Sequence, residues 1–494
     1  MTLVVPDWAR DAVFYQVFPD RFAASERVVK PGAMEPWAAP PTNHGYKGGD
    51  LLGLAERLGE LVDLGITAIY LNPVFSAASN HRYNAYDFMA VDPLLGGDAA
   101  LRELLDEAHR RGIRVILDGV FNHVGRGFWP FHHVAESGGA SPYRDWFYLD
   151  TEVLERRRSI VAHVDHLAPE QGPRGYRSWW DVPSLPKLRI EHPAVREYLM
   201  GVAEHWTRFG IDGWRLDVPQ DIEDPTFWPE FRRRVRAINP EAYIVGEIWH
   251  DAPEWLAGDR FDALMNYPLA LAILGFVGGP HIDQAVIRGQ SNYRDGLVAL
   301  DGPAFGERLT ANMTLNGPAA TAVQFNLIGS HDTPRARSVL GEDAVRLRLA
   351  ALLQLTLPGT PSIYYGDEIA MSGGPDPDCR RAYPARLADI DPAGLVHRAF
   401  VRALLHARGA HVALRRGEVR VFATSAQAVV IERTAVGHRA VTAVNAGDGP
   451  DSIAVPAELL DGLRRLDALS IGTVELDGGS LALGPRSAVV LVDD

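Results

Sequence analysis

Four carboxylates stand where apolar runs give way to loops: Asp118 in ILDGVFNH, Asp217 in GWRLDV, Glu247 in IVGEIW and Asp332 in IGSHDTPR. Arg215 lies two residues before Asp217; His123 follows the first acid and His331 adjoins the last. Strands that deliver acids at their C-terminal ends are how a (β/α)8 barrel builds an active site. Hydrolysis of a glycosidic bond with retention needs one carboxylate as nucleophile and a second carboxyl as acid and then base, about 5–5.5 Å apart. Neighbouring barrel strands supply such a spacing, and Asp217 and Glu247 end adjacent strands. Arg215 shares a strand face with Asp217 and is expected to keep it ionised, while an apolar or acid-rich setting would hold a proton on Glu247. Asp332 would bind sugar hydroxyls and stabilise an oxocarbenium-like transition state. His123 and His331 would donate to hydroxyls. Any one of these residues alone reads as a barrel-mouth salt bridge or a satisfied buried histidine; four strand ends in order are hard to obtain from core packing.

The elements that must position these acids alternate along the chain. Strand-like runs are expected at Ala12–Phe18, Ile66–Leu71, Arg114–Leu117, Gly213–Leu216, Tyr243–Val245, Ala263–Asn266, Phe325–Ile328 and Ser362–Tyr365. Between them lie stretches such as Leu51–Leu64 and Leu101–Arg111, apolar at helical spacing and closed by Gly65 and Gly112. Strand–helix alternation predicts an α/β fold with a parallel sheet, and eight repeats predict a closed (β/α)8 TIM barrel. Two stretches depart from it. Residues 122–186, aromatic and rich in Pro, Gly and His, are too long for a βα loop and read as a subdomain inserted after the third strand. From residue 412 short alternating runs appear (VRVFAT, AVVIER, AVTAVN, AVVLVD), which predict an antiparallel β-sandwich over 412–494. Residues 1–121 and 187–411 are then the two parts of the barrel.

Composition bounds the partners. The 494 residues are 47% hydrophobic and 23% charged, with a net charge of −14, and no apolar run is long enough to span a bilayer. An acidic chain without a basic stripe argues against nucleic acid or an anionic membrane surface. The one dense basic run, Arg156 to Arg158, reads as a solvated loop. Cys379 is the only cysteine, which excludes an intramolecular disulfide and reads as a structural thiol. The N-terminus has no secretory pattern, so a cytoplasmic location is expected. His132 and His133 with His123 have no second cluster at ligand spacing, and zinc is not expected there.

The motifs DGVFNH, GWRLDV, GEIW and GSHD together resemble the four strand-end signatures of the α-amylase family, glycoside hydrolase family 13. WARDAVFYQVFPDRF, NHRYNAYDF, LPKL at Leu185–Leu188, GEIWHD, FDALMNYP and IYYGDEIAMSGGPDPDCR narrow the resemblance to its neopullulanase, cyclomaltodextrinase and maltogenic amylase branch, over residues 8–490. It implies Asp217 as nucleophile, Glu247 as acid/base and Asp332 as stabiliser, with Arg215, Asp118, His123 and His331 around them. It further implies that Tyr83 stacks on the sugar at the cleavage point and that Asp376 and Arg380 bind the next sugar on the non-reducing side. Trp179 and Trp180 lie in the insert, where an exposed face would suit a glucose ring.

Departures limit what carries over. The branch usually has an N-terminal β domain that aids dimerisation and roofs the cleft, whereas this sequence starts at the barrel; monomer and homodimer both stay open. Pro219 and Gln220 replace Ala-Asn after the nucleophile motif, and Arg189 replaces Asn after LPKL, so linkage preference is not transferred. The branch's calcium loop reads ASERVV here. Ala23, Ala24, Ser25 and Arg27 are poor ligands for a cation needing 6–8 oxygens, although Asp50 in KGGD is present, and no metal is expected there. A second family calcium site would use Asn122, with its other ligands unidentified. No cofactor is expected to be required.

The expected activity is a retaining α-glucan hydrolase acting on α-1,4 bonds of maltooligosaccharides and cyclodextrins, with pullulan a further candidate and some transglycosylation. An exo-acting α-glucosidase or a glucanotransferase or isomerase would use the same carboxylates. A non-catalytic glucan-binding or partner protein of this fold would lack the nucleophile or the acid, and both are present. A phosphate-binding barrel would carry glycine-rich loops after its last two strands, where this chain carries acids.

Overall fold

The computed structural model of the protein describes residues 3–150, 175–477 and 479–493. Arg156 to Arg158 lie outside the described residues. All eight expected strands form one parallel sheet: β1 Phe14–Val17, β2 Ala68–Leu71, β3 Arg114–Gly119, β4 Gly213–Leu216, β5 Tyr243–Gly246, β6 Ala263–Leu264, β7 Phe325–Asn326 and β8 Thr360–Tyr364. They are hydrogen-bonded in the order β6-β5-β4-β3-β2-β1-β8-β7. A parallel bridge between Met265 and Phe325 joins the two ends, so the sheet closes. β6 and β7 are shorter than their apolar runs; at β6 the reason is Asn266, which accepts from Leu269 N–H at 3.3 Å and so caps the helix Tyr267–Gly278.

Side chains of a strand alternate between its two faces, and this decides what reaches the barrel mouth. Phe14, Tyr70, Ile116, Tyr243, Val245, Met265 and Phe325 pack together inside the barrel. Tyr15, Ile69, Leu117, Trp214 and Ile244 face the surrounding helices. Two residues beyond an inward position the chain faces inward again. Gln16, Asn72, Asp118 and Glu247 therefore follow from Phe14, Tyr70, Ile116 and Val245, and Arg215 with Asp217 continue the inner face of β4.

The helix expected over Leu51–Leu64 breaks into Leu51–Glu56 and Leu58–Leu64, and Gly65 takes the left-handed conformation (φ 106°) that ends the second. The helix expected over Leu101–Arg111 runs from Gly97 to Arg110, with Arg111 as its C-cap. After β2 an antiparallel hairpin, Phe75–Ala77 with Ala85–Val91, carries Tyr83 at its turn. The described part of the insert is pinned to the barrel by bridges of His123 with Lys187 and Phe147 with Leu188.

The four C-terminal runs form strands, and four shorter strands accompany them: β9 Glu418–Thr424, β10 Ala428–Ala435, β11 His438–Asn445, β12 Asp451–Ala454, β13 Arg464–Arg465, β14 Val474–Asp477, β15 Ser480–Leu483 and β16 Ser487–Val492. They make an antiparallel five-stranded sheet (β9-β10-β11-β16-β13) and a three-stranded sheet (β12-β15-β14). Val430, Val441, Val489 and Leu491 of the first pack against Ile453, Leu481 and Leu483 of the second, which makes a sandwich.

Two buried arginines, one on each side, line the seam between sandwich and barrel. Arg433 of β10 donates to the carbonyls of Gly417 and Thr356, the latter ending the helix Ala344–Thr356. Arg408 donates to Leu355 O, Leu357 O, Leu414 O and Gly359 O at 3.0, 3.0, 3.0 and 2.6 Å. Cations at a helix C-terminus meet the negative end of its dipole and satisfy carbonyls the helix leaves open. Burial pushes the guanidinium of Arg408 down to about 10, with Arg415 adding to the effect.

Candidate active site

Register brings the first two charged residues together, since Asp118 of β3 is the direct partner of Arg215 of β4. The Arg215 guanidinium is fully buried. Its Nη1 donates to Asp118 Oδ1 at 2.9 Å and to Asp217 Oδ1 at 2.9 Å, and its Nη2 forms an ion pair with Glu247 Oε2 at 2.8 Å. One cation thus holds three carboxylates, and its two terminal nitrogens place Asp217 and Glu247 side by side. Glu247 also accepts from the backbone N–H of Val218 (3.2 Å) and from Trp249 Nε1 (3.0 Å). Val218 reaches it from a left-handed backbone (φ 35°, ψ 52°), strained for a β-branched residue and of a kind that clusters at active sites.

The electrostatics differ from the expectation in one respect. Burial raises the Asp217 carboxyl well above the usual carboxylate range, Arg215 opposes that rise, and the charge of Glu247 adds to it. Burial raises Glu247 as well, against Arg215 and with help from Asp332. Arg215 therefore does not hold Asp217 low: burial outweighs it, and Asp118, Asp217 and Glu247, which share the one guanidinium, are only 1%, 6% and 5% exposed. Such a pair titrates as a unit and retains a proton to higher pH than an isolated carboxyl. Asp332 goes the other way. Burial pushes it up, but His331 and Arg380 outweigh that push and hold it below the usual range.

A second chain of contacts crosses the mouth. Tyr83 O–H donates to Asp118 Oδ2 at 2.8 Å and lies 2.6 Å from His331 Nε2, with the two rings parallel at 5.3 Å. Gln16 Nε2 lies 2.8 Å from His331 Nδ1, and His331 Nε2 lies 3.0 Å from Asp332 Oδ2. Arg380 pairs with Asp376 at 3.0 Å and Asp332 at 3.3 Å, and donates to the His331 carbonyl at 2.8 Å. His123 is buried, and desolvation lowers it to about 3, so the ring is neutral. It stacks on Trp179 at 4.8 Å.

All ten residues singled out from the sequence fall within this connected mouth. Several partners were missed: Tyr70, which donates to Asp118 at 2.6 Å, Asn72, which donates to Tyr83 at 3.0 Å, Gln16, and the pair Trp249 and Tyr267, stacked at 3.6 Å. Strand alternation would have found Gln16 and Asn72; the Trp249–Tyr267 pair joins a loop to the first residue of the helix Tyr267–Gly278 and leaves no periodic signal.

The loop expected to lack calcium ligands contains a cation of its own. Lys30 Nζ lies 3.0 Å from Asp50 Oδ2 and 2.6 Å from Leu94 O, and the Asp50 oxygens also accept from Ser25 N–H and Gly53 N–H. That donor set does not fit a metal ion. At Asn122 the buried Oδ1 has no hydrogen-bond partner, but no group of three or more His, Cys, Asp or Glu suited to a metal occurs among the described residues. His133 bonds Ser141 Oγ at 2.9 Å. No helix among the described residues is long and apolar enough to cross a membrane.

A family model described as the catalytic domain of alpha amylase matches residues 16–390. The chain is 42% identical, over 85% of its length, to a cyclomaltodextrinase of Geobacillus thermopakistaniensis and 41% identical, over 86%, to neopullulanase 2 of Thermoactinomyces vulgaris. It spans 65% and 67% of the length of those relatives. Among solved structures it matches Ttha1563 of Thermus thermophilus (45% identity, TM-score 0.89) and a debranching enzyme of Nostoc punctiforme (41%, 0.87), each over 99% of this chain and 100% of theirs.

Proposed function

The chain belongs to the α-amylase family, and from that premise we propose that it is a retaining α-glucan hydrolase cleaving α-1,4-glucosidic bonds of maltooligosaccharides and cyclodextrins. The observation that carries the proposal is the trio Asp118, Asp217 and Glu247 on one buried guanidinium, with Asp332 facing them on Arg380. Asp217 attacks the anomeric carbon as Glu247 gives its proton to the departing glycosidic oxygen. The C–O bond to the leaving sugar breaks and an ester to Asp217 forms. Water then attacks the same carbon, Glu247 takes its proton, and the ester bond to Asp217 breaks. A sugar hydroxyl in place of water gives transglycosylation.

The raised pair supports these roles, because the first step needs one carboxylate and one carboxylic acid at the same pH. Asp332, held ionised, would stabilise the positive charge at the anomeric centre, and Tyr83, His123, His331, Asp118, Asp376 and Arg380 would hold the glycone sugars. The reaction as written uses no cofactor or metal. A cytoplasmic location fits the single, buried Cys379.

A second reading has one observation in its favour. The Nostoc match is named a debranching enzyme and is covered over its full length, which supports α-1,6 bonds, pullulan included, as additional targets. A time course of products from γ-cyclodextrin, maltotriose, maltoheptaose, pullulan, isomaltose and starch tests both. Maltose and glucose released faster from cyclodextrin than from starch supports the first reading. Glucose alone, or longer transfer products with little hydrolysis, would replace it with an exo-acting or transferase activity.

A further inference from the structure

The insert carries a ladder of three rings that begins at the active-site mouth and ends in solvent. His123, buried, stacks on Trp179 at 4.8 Å and 15°; Trp179 stacks on Trp180 at 4.8 Å and 18°. The ladder is also tied at its middle: Trp179 Nε1 donates to Asp221 Oδ2 at 2.6 Å, and Lys187 Nζ donates to Asp221 O at 2.7 Å. Asp221 lies four residues past Asp217 on the same loop, so the ladder is bolted to the segment that carries the proposed nucleophile.

Trp180 is the outermost rung. It is 78% exposed, although burying a tryptophan is among the larger gains a chain can make. Its backbone is left-handed (φ 48°, ψ 32°), as is that of Asp181 (φ 58°). Two consecutive non-glycine residues in that region are costly, and the cost is tolerated where a side chain must be presented in one direction. The loop is held in this shape by Val182 N–H to Trp179 O and Leu185 N–H to Val182 O. A rigid aromatic face, apolar on one side and backed by another ring, loses little conformational entropy on contact.

We propose that the free face of Trp180 is a platform for a glucosyl ring lying outside the reaction centre, reached by longer α-glucan chains. The proposal rests on the α-glucan hydrolase reading. A pyranose presents C–H groups on its flat face and hydroxyls at its rim, which suits an exposed indole beside a hydrated loop. Continuity of the ladder with His123 and Asp221 is what assigns the occupant to the substrate rather than to another protein.

The test compares Trp180→Ala and Trp180→Tyr with the wild type on maltotriose and maltoheptaose. Trp180→Ala is expected to raise the ratio of KM for maltoheptaose to KM for maltotriose about tenfold, and Trp180→Tyr to restore it. In a Glu247→Gln background, maltoheptaose is expected to quench tryptophan fluorescence, and Trp180→Ala to remove that quench. An unchanged KM ratio in an enzyme that still hydrolyses maltoheptaose overturns the platform while leaving the hydrolase reading intact. Loss of self-association in Trp180→Ala at an unchanged KM ratio would show that the face binds a second copy instead, and also overturns it. A wild type that neither hydrolyses nor binds maltoheptaose removes the hydrolase reading and the platform with it.

Discussion

Trp249 donates its indole N–H to Oε1 of Glu247 at 3.0 Å while its ring lies on Tyr267 at 3.6 Å and 7°. The contact is made to the charged form of the carboxyl and so favours ionisation. Burial nevertheless leaves Glu247 raised, which means that the donors around it moderate its proton affinity without cancelling the desolvation.

Removing that donor has a direction. In Trp249→Phe the stack on Tyr267 can persist while the N–H is lost, so the anion of Glu247 is less favoured and its apparent pKa rises further. The basic limb of the pH profile of kcat/KM, which reports loss of the essential acid, is expected to move to higher pH. A limb that stays in place or moves down would contradict the role of Glu247 as acid.

Asp217→Asn and Glu247→Gln are each expected to reduce turnover by on the order of 10³ or more with the fold retained. Near-normal turnover in either variant would sink the assignment.

Asp217→Asn should also stabilise. A carboxyl whose folded pKa lies above its unfolded value costs stability at pH above the folded pKa, and that cost fades as pH falls toward the unfolded value of about 3.9. The variant is therefore expected to melt several degrees higher than wild type at pH 7, the gain shrinking toward pH 4. Thermal scans at the two pH values check this; equal or lower Tm at pH 7 would contradict the raised state of Asp217.

Lys30 puts its ammonium group beside Asp50 in the loop. Chelation with EDTA is expected to leave Tm and activity almost unchanged, while Lys30→Met lowers Tm by several degrees because Asp50 loses the charge beside it. A large loss with EDTA would show that a metal site had been misread.

Tyr83→Phe removes a hydroxyl that joins Asp118, Asn72 and His331. The loss of hydrogen bonds among buried partners is worth about 1–2 kcal/mol, so kcat/KM on maltotriose is expected to fall roughly tenfold. An unchanged value would confine Tyr83 to ring stacking.

The barrel was legible because its strands are continuous apolar runs ended by acids, a pattern few other arrangements produce. All eight runs were located, and Asp118, Arg215, Asp217 and Glu247 followed from them. The breaks came where local chemistry competes with the run: Asn266 caps a helix and shortens β6, and Arg57 interrupts the helix expected over Leu51–Leu64. The short polar strands Asp451–Ala454, Arg464–Arg465 and Val474–Asp477 have too little alternation to be seen alone. The shared state of Arg215 could not be read either, since the number of acids on one guanidinium is set by strand neighbours distant in sequence.

Arg433 and Arg408 change what the C-terminal sandwich is to the barrel. Two of their hydrogen bonds cross from one region to the other, Arg433 to the Thr356 carbonyl and Arg408 to the Leu414 carbonyl, and the rest satisfy buried carbonyls on either side of the seam. The sandwich is then a rivet plate, not a passenger, because a cut before residue 412 removes the Arg433 donor of Thr356 and the Leu414 carbonyl that Arg408 of the barrel holds. Heating should melt both regions in one calorimetric peak, and such a shortened chain should lose stability in its barrel, however complete its eight strands.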